Sequence, residues 1–180
     1  MTSEEYFDLI EDASSGVIGR ATRKECHGNP ALLHRSIRVL ILHPDGKRML
    51  LQKRALSKDV FPGRWDMAVG GHVDSGETPL CAARREMAEE LGLDSNLPLQ
   101  EVYTIKVRNS FESENVSAYS AISGGPFRIR EEELSEVRFF TREELTLLKE
   151  TAPDLLTPLL IRELDKILSS GMLLAVQNNE

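Results

Sequence analysis

Cysteine is scarce in this chain. Cys26 and Cys81, two in 180 residues, cannot build the disulfide framework of a small secreted domain. Long hydrophobic runs are missing as well. No stretch approaches the roughly 18 apolar residues that suggest a membrane helix, so no membrane partner is expected. Positive charge is in deficit: 22 Lys and Arg stand against 29 Asp and Glu, a formal net charge of −7. That balance argues against a broad nucleic-acid-binding surface. It does not exclude a small anionic ligand, because a metal can reverse the local sign of a site. The sequence has no internal repeat, low-complexity tract or long linker. The opening MTSEEYFDLIED is acidic and resembles neither a signal nor a transit peptide, so a cytoplasmic location is expected.

The composition, 41% hydrophobic and 28% charged, suits a soluble globular chain, and its length suits one domain over residues 1–180. "EYFDLIED" and "VIGRATRKE" read as two strands turning at Ser15-Gly16, a hairpin over about 5–25. "RSIRVLILH" and "RMLLQKR" flank a Pro44-Asp45-Gly46 turn and read as strands. "RWDMAVG", "PLQEVYTIKVR", "ENVSAYSAIS" and "SEVRFFT" add further strand candidates. Residues 78–91 switch to helical spacing, with Ala83, Met87 and Leu91 every fourth position. Thr78-Pro79 is a start signal and Gly92 a stop. Thr141 and Glu144 predict a capping box for a helix, and a second helix follows over "TPLLIRELDKILSSG"; together they span about 141–170. Strands and helices do not alternate regularly, so the fold class is α/β (α+β), a mixed sheet between helices.

The helix over 78–91 carries an unusual charge set. Glu86, Glu89 and Glu90 share a face at i, i+3 and i+4 spacing, where like charges repel. They follow Gly70-Gly71, where backbone carbonyls can approach closely. Clustered carboxylates with carbonyl oxygens suit a hard divalent cation such as Mg2+. Arg85 is placed to hold a neighbouring carboxylate, with Glu77 the expected partner. On any other helix a solvated acidic face would explain such glutamates.

The stretch resembles the Nudix box. Gly71, five residues, Glu77, seven residues and then Arg85 to Leu93 match that signature at every defined position. A chance match somewhere in such a chain falls below about one in a hundred thousand at average residue usage. The resemblance implies a mixed sheet sandwiched between helices, with the box as loop-helix-loop over 71–93. It also implies hydrolysis of a diphosphate linked to another moiety, X, with Mg2+ or Mn2+. Carried over by position, the Gly70 carbonyl, Glu86, Glu89 and Glu90 are metal-site candidates, with Arg85 in the catalytic group. Glutamates serve as oxygen ligands and as a base, and the box does not decide which one is the base.

The segments "RALSKDVFPGRWDMAVGGHV" and "FDLIEDASSGVIGRATR" resemble isopentenyl diphosphate isomerases, which are Nudix relatives, over about residues 5–120. That resemblance makes Arg54 and Lys58 candidates for diphosphate contact. It also pairs His27 with His34 across six residues, adds His72, and adds Glu112 and Glu114 from "FESEN" as a second metal site. Glu114 is further implied as an acidic ligand or base from outside the box. Isomerases place a catalytic cysteine just before the Gly-His pair, where this chain has Gly70, and they break the acidic box, which this chain keeps. The expectation is therefore a hydrolase on an isomerase-like scaffold, acting on a small-molecule diphosphate. An isomerase and a catalytically silent diphosphate-binding module are the alternatives. Phe61, Trp65 and Tyr119 are candidates to line a base pocket, although aromatics on such segments more often pack in the core, and the family resemblance allows a homodimer.

Overall fold

The computed structural model describes residues 4–173; the outermost residues of the expected domain over 1–180 lie outside them. Tyr6–Ile10 (β1) and Val17–Thr22 (β2) form the expected antiparallel hairpin. "VIGRATRKE" does not stay extended, because Thr22 and Glu25 form a capping box that starts a short helix, Arg23–Cys26 (α1). Leu33–Leu42 (β3) and Arg48–Arg54 (β4) flank the turn at Pro44. "RWDMAVG" is two strands rather than one, Trp65–Met67 (β5) and Val69–His72 (β6). They split because β5 pairs with β4 while β6 crosses to β3.

The box helix is Pro79–Leu91 (α2), capped by Thr78, whose hydroxyl accepts from the Cys81 amide, and closed at Gly92. Then follow Gln100–Arg108 (β7), Ser113–Ile122 (β8) and Leu134–Thr141 (β9). Arg142–Thr151 (α3) starts on the expected Thr141–Glu144 capping box. A 3-10 turn at Pro153–Leu155 leads into Pro158–Ser169 (α4). The stop of α4 falls on Ser170, one residue ahead of Gly171.

The seven-stranded sheet is mixed: β3 runs parallel to β8 and antiparallel to β6. One face packs on α2 through Ile37, Val39, Leu50, Ala83, Met87 and Leu91. The opposite core joins Leu40, Met49, Leu51 and Met67 to Leu145, Leu160 and Leu164 of α3 and α4. The sandwich thus follows the alternation of the strands and the fourfold spacing of α2. Met87 is fully buried, and truncating such a side chain costs about 2–5 kcal/mol.

One detail of pairing makes room for a site. β3 and β4 share only the pair Leu42↔Met49, so the sheet opens into two wings, β6-β3-β8-β7 and β5-β4-β9. Residues of both wings, among them Arg38, Gln52, Asp66 and Gly70, line a cleft of 290 Å³.

Candidate active site

Glu86, Glu89 and Glu90 of α2 all line that cleft together with Gly70 and Gly71 of β6. They differ in setting. Glu89 is exposed, Glu86 half-buried and Glu90 buried at 6% exposure. Close packing explains the Gly-Gly pair. A Cβ on Gly71 would lie 2.3 Å from the Glu86 carboxyl carbon, and one on Gly70 would lie 2.5 Å from Arg38 Nη1.

Arg85 holds the acidic face in register. Its guanidinium donates from Nη2 and Nε to the two Glu77 oxygens at 2.9 and 3.2 Å, and from Nη1 to Glu86 Oε1 at 2.8 Å. Nη2 also donates to the His72 carbonyl oxygen at 3.1 Å, tying the helix to the Gly-Gly strand. The forked group suits such multiple contacts. Even so, burial pushes the Glu86 carboxyl above its ordinary value, against the pull of Arg85. Glu90 is pushed up further, first by burial and then by the nearby charge of Glu86. Glu90 Oε2 has no hydrogen-bond partner. A buried carboxylate oxygen left open beside two more carboxylates fits a divalent cation, which would compensate both burial and repulsion. Glu86, Glu89, Glu90 and the Gly70 carbonyl could hold it.

A second cluster follows from strand register. His34 pairs with Glu114 across β3 and β8, and Ser36 pairs with His72 across β3 and β6. Glu114 Oε1 therefore lies 3.1 Å from His72 Nε2 and 3.4 Å from His34 Nε2, while Oε2 accepts from Ser36 Oγ at 3.1 Å. The ligand atoms of His27, His34 and His72 lie within 4.8 Å of one another. Phe7 of the hairpin stacks on His34, which is fully buried, and on His72, which lines the cleft. Burial pulls the His27 pKa down to about 4. Burial lowers His34 too, but the Glu114 carboxylate outweighs it and the net shift is upward. Burial alone would raise Glu114; its contacts with His34 and His72 take it well below the carboxylate range. Glu112 lines the same cleft, raised by burial and by Glu114. His34 Nδ1 contacts the Leu32 carbonyl oxygen at 3.1 Å, and its Nε2 has no aligned hydrogen-bond partner. A ring anchored to a carbonyl on one side, with a carboxylate facing its other nitrogen, suits a metal ligand.

Arg54 and Lys58 reach the cleft wall, but both are engaged. Lys58 pairs with Glu133. Arg54 Nε donates to the Val60 carbonyl oxygen at 2.9 Å, and its Nη1 lies 3.6 Å from Asp66. For the aromatics the core alternative holds at two of three positions. Trp65 and Tyr119 are buried in the two cores, where strand alternation directs them, and only Phe61 of the three lines the cleft. Cys81 is exposed and stands apart from the cleft lining.

Sequence reasoning missed the buried network beneath Gly70. Arg38 donates to Asp66 at 2.5 and 3.2 Å and to Glu163 of α4 at 3.4 Å. Thr157 donates to Asp66 and Tyr103 to Glu163. The signal was present: Arg38 interrupts the apolar run "RSIRVLILH", and Asp66 sits between Trp65 and Met67. A charge inside a strand pattern marks a buried partner.

The NUDIX domain family profile matches residues 32–159. The chain is 34% identical over 150 residues to the uncharacterised Nudix hydrolase YfcD of Escherichia coli K12, covering 81% of this chain and 79% of that protein. It is 33% identical over 150 residues to an isopentenyl-diphosphate Delta-isomerase of Streptomyces avermitilis, covering 80% and 75%. Among solved structures, DR0079 from Deinococcus radiodurans aligns with a TM-score of 0.75 at 25% identity, over 90% of this chain and 98% of that one. With a mixed sheet between helices and a box matched at every defined position, the chain belongs to the Nudix hydrolase family, on its isopentenyl-diphosphate-isomerase-like side.

Proposed function

We propose that this single-domain protein hydrolyses a small-molecule diphosphate linked to another moiety, using Mg2+ or Mn2+. The observation that carries the reading is Glu90: a buried carboxylate with an open oxygen, beside Glu86 and Glu89, in the cleft. Such an arrangement is costly unless a cation compensates it. A bound divalent ion supplies charge against the phosphate oxygens and makes a water more acidic. The protein's own side chains do the remaining work. Arg85 fixes Glu77 and Glu86 so that the acidic face does not splay. The proton acceptor comes from the carboxylate set Glu86, Glu89, Glu90 and Glu114. Arg54 and Lys58 line the cleft and exchange Val60, Asp66 and Glu133 for the substrate diphosphate. The histidine cluster with Glu112 and Glu114 forms a second cation site, whose imidazoles suit Mn2+ or Zn2+ better than Mg2+.

The isomerase reading draws on the same histidine cluster but meets Gly70, which offers no side chain for proton transfer. A screen of diphosphate compounds, reading metal-dependent phosphate and pyrophosphate release, tests the proposal. Release abolished by chelation supports it; no release from any compound with Mg2+ or Mn2+ rejects it.

A further inference from the structure

Asp8 of β1 is buried at 9% exposure, although it belongs to the hairpin and not to the acidic box. Its strand lies ahead of residues 32–159, the stretch that the family profile matches. Its carboxylate nonetheless reaches the loop that enters α2. Asp8 Oδ1 accepts from Ser75 Oγ at 2.7 Å, and Oδ2 accepts from the Gly76 amide at 3.0 Å. Arg35 Nη2 of β3 donates to the same Oδ2 at 3.0 Å. The Tyr6 carbonyl oxygen accepts from the Ser75 amide at 2.7 Å. Among the described residues, the hydrogen bonds of Ser75 and Gly76 thus all run to the hairpin. Burial alone would raise the Asp8 carboxyl, but the bonds from Ser75 and Gly76 and the charge of Arg35 outweigh it and hold it below its ordinary value.

Ser75 and Gly76 directly precede Glu77. Gly76 takes a φ of +81°, a left-handed turn that favours glycine. The turn delivers Glu77 to Arg85, whose guanidinium grips both Glu77 oxygens and also Glu86 Oε1. A chain of contacts therefore runs from Asp8 through Ser75 and Gly76 to Glu77, Arg85 and Glu86. We infer that Asp8 is a positioning residue for the acidic face: it fixes the loop that sets Glu77, and through Arg85 it sets Glu86 beside Glu90 for a divalent cation. This rests on the reading of that face as the cation site. Groups behind a metal ligand orient it, and losing one typically costs about 10–100-fold in metal affinity.

Titration of the full chain with Mn2+, the free ion being read by electron paramagnetic resonance, tests this without turnover. Every protein compared carries His34→Ala and Glu114→Gln, so that the histidine cluster does not add a second ion. Asp8→Asn is expected to weaken Mn2+ binding about tenfold or more. Ser75→Ala, at an exposed position, removes one bond to Asp8 and is expected to weaken binding about threefold. It takes the place of Asp8→Asn if melting temperatures show that the latter does not fold. A residue serving the fold alone would cost the same in any background. Acting through Glu77, Asp8→Asn should instead cost less than about twofold once Glu77→Gln is present. Unchanged Mn2+ affinity, or equal losses with and without Glu77→Gln, overturns the proposal. No Mn2+ bound even with Asp8 in place defeats the cation reading and this inference together. Affinity that follows Asp8 in a protein that hydrolyses no diphosphate compound defeats the hydrolase reading alone.

Discussion

Glu90 and Glu163 are both buried glutamates on helices, at 6% and 0% exposure. Burial pushes both carboxyls upward. Their surroundings differ. Glu163 accepts from Arg38 at 3.4 Å and from the Tyr103 hydroxyl at 3.2 Å, so both of its oxygens are engaged. Glu90 faces Glu86 and keeps one oxygen open. The first arrangement is closed on itself and joins α4 to the sheet. The second is incomplete without something positive. Burial and charge alone do not separate a carboxylate that closes a structural network from one proposed to hold a cation; the hydrogen bonds left unmade do.

Breaking the closed network should have the largest effect on the fold. Arg38→Met leaves Asp66 and Glu163 buried without their cation, which costs about 3–5 kcal/mol. Urea denaturation should read that loss, and adding Asp66→Asn and Glu163→Gln should restore most of it. If Arg38→Met is as stable as wild type, the network is not closed in the sense described.

The open cluster should respond in the opposite way. Glu86→Gln and Glu90→Gln are each expected to lower metal-dependent turnover by about a hundredfold or more, as when a group active in the transition state is lost. Neither should lower the melting temperature of the metal-free protein, since each removes a charge from a repelling set. Near-normal turnover in both would sink the catalytic role of the acidic face.

The histidine cluster stands between these extremes: Glu114 is tightly held, while His34 Nε2 lies 3.4 Å from it without an aligned hydrogen bond. His34→Ala combined with Glu114→Gln should reduce bound Mn2+ or Zn2+ by roughly one ion per chain, measured by elemental analysis after dialysis. Unchanged stoichiometry, with metal bound in both proteins, would leave only the box site.

Local signals were the most legible in the sequence. Thr78-Pro79, Gly92 and the Thr141–Glu144 pair announced helix ends that depend on few neighbours. The box and the histidine spacing were legible because each is a short pattern, although only register brings His34, His72 and Glu114 together. The split of "RWDMAVG" was not legible, because it depends on which strands β5 and β6 find as partners. Arg38 and Asp66 left a mark, a charge inside a strand pattern, but which residues they pair with was not legible, for the same reason. Their meaning arises where two wings of a sheet separate, and no periodicity encodes that.

The smallest effect is expected from a substitution that would add a function. An isomerase-like scaffold with its histidines in place suggests that Gly70→Cys would restore isomerisation of isopentenyl diphosphate. The packing beneath Gly70 opposes this. A Cβ there would meet Arg38 Nη1 at 2.5 Å. A flexible arginine could swing aside, but Arg38 is held by two bonds to Asp66 and one to Glu163. Admitting the thiol means either breaking that buried network or shifting β6, which carries Gly71 and His72. Neither leaves a sulfur positioned for proton transfer, which needs an acid and a base on opposite sides of the double bond. Wild type and Gly70→Cys are both expected to form no dimethylallyl diphosphate and to exchange no carbon-bound hydrogen in deuterated water. Product from Gly70→Cys alone would show that the missing thiol, and not the Arg38 network, separates this chain from its isomerase relatives.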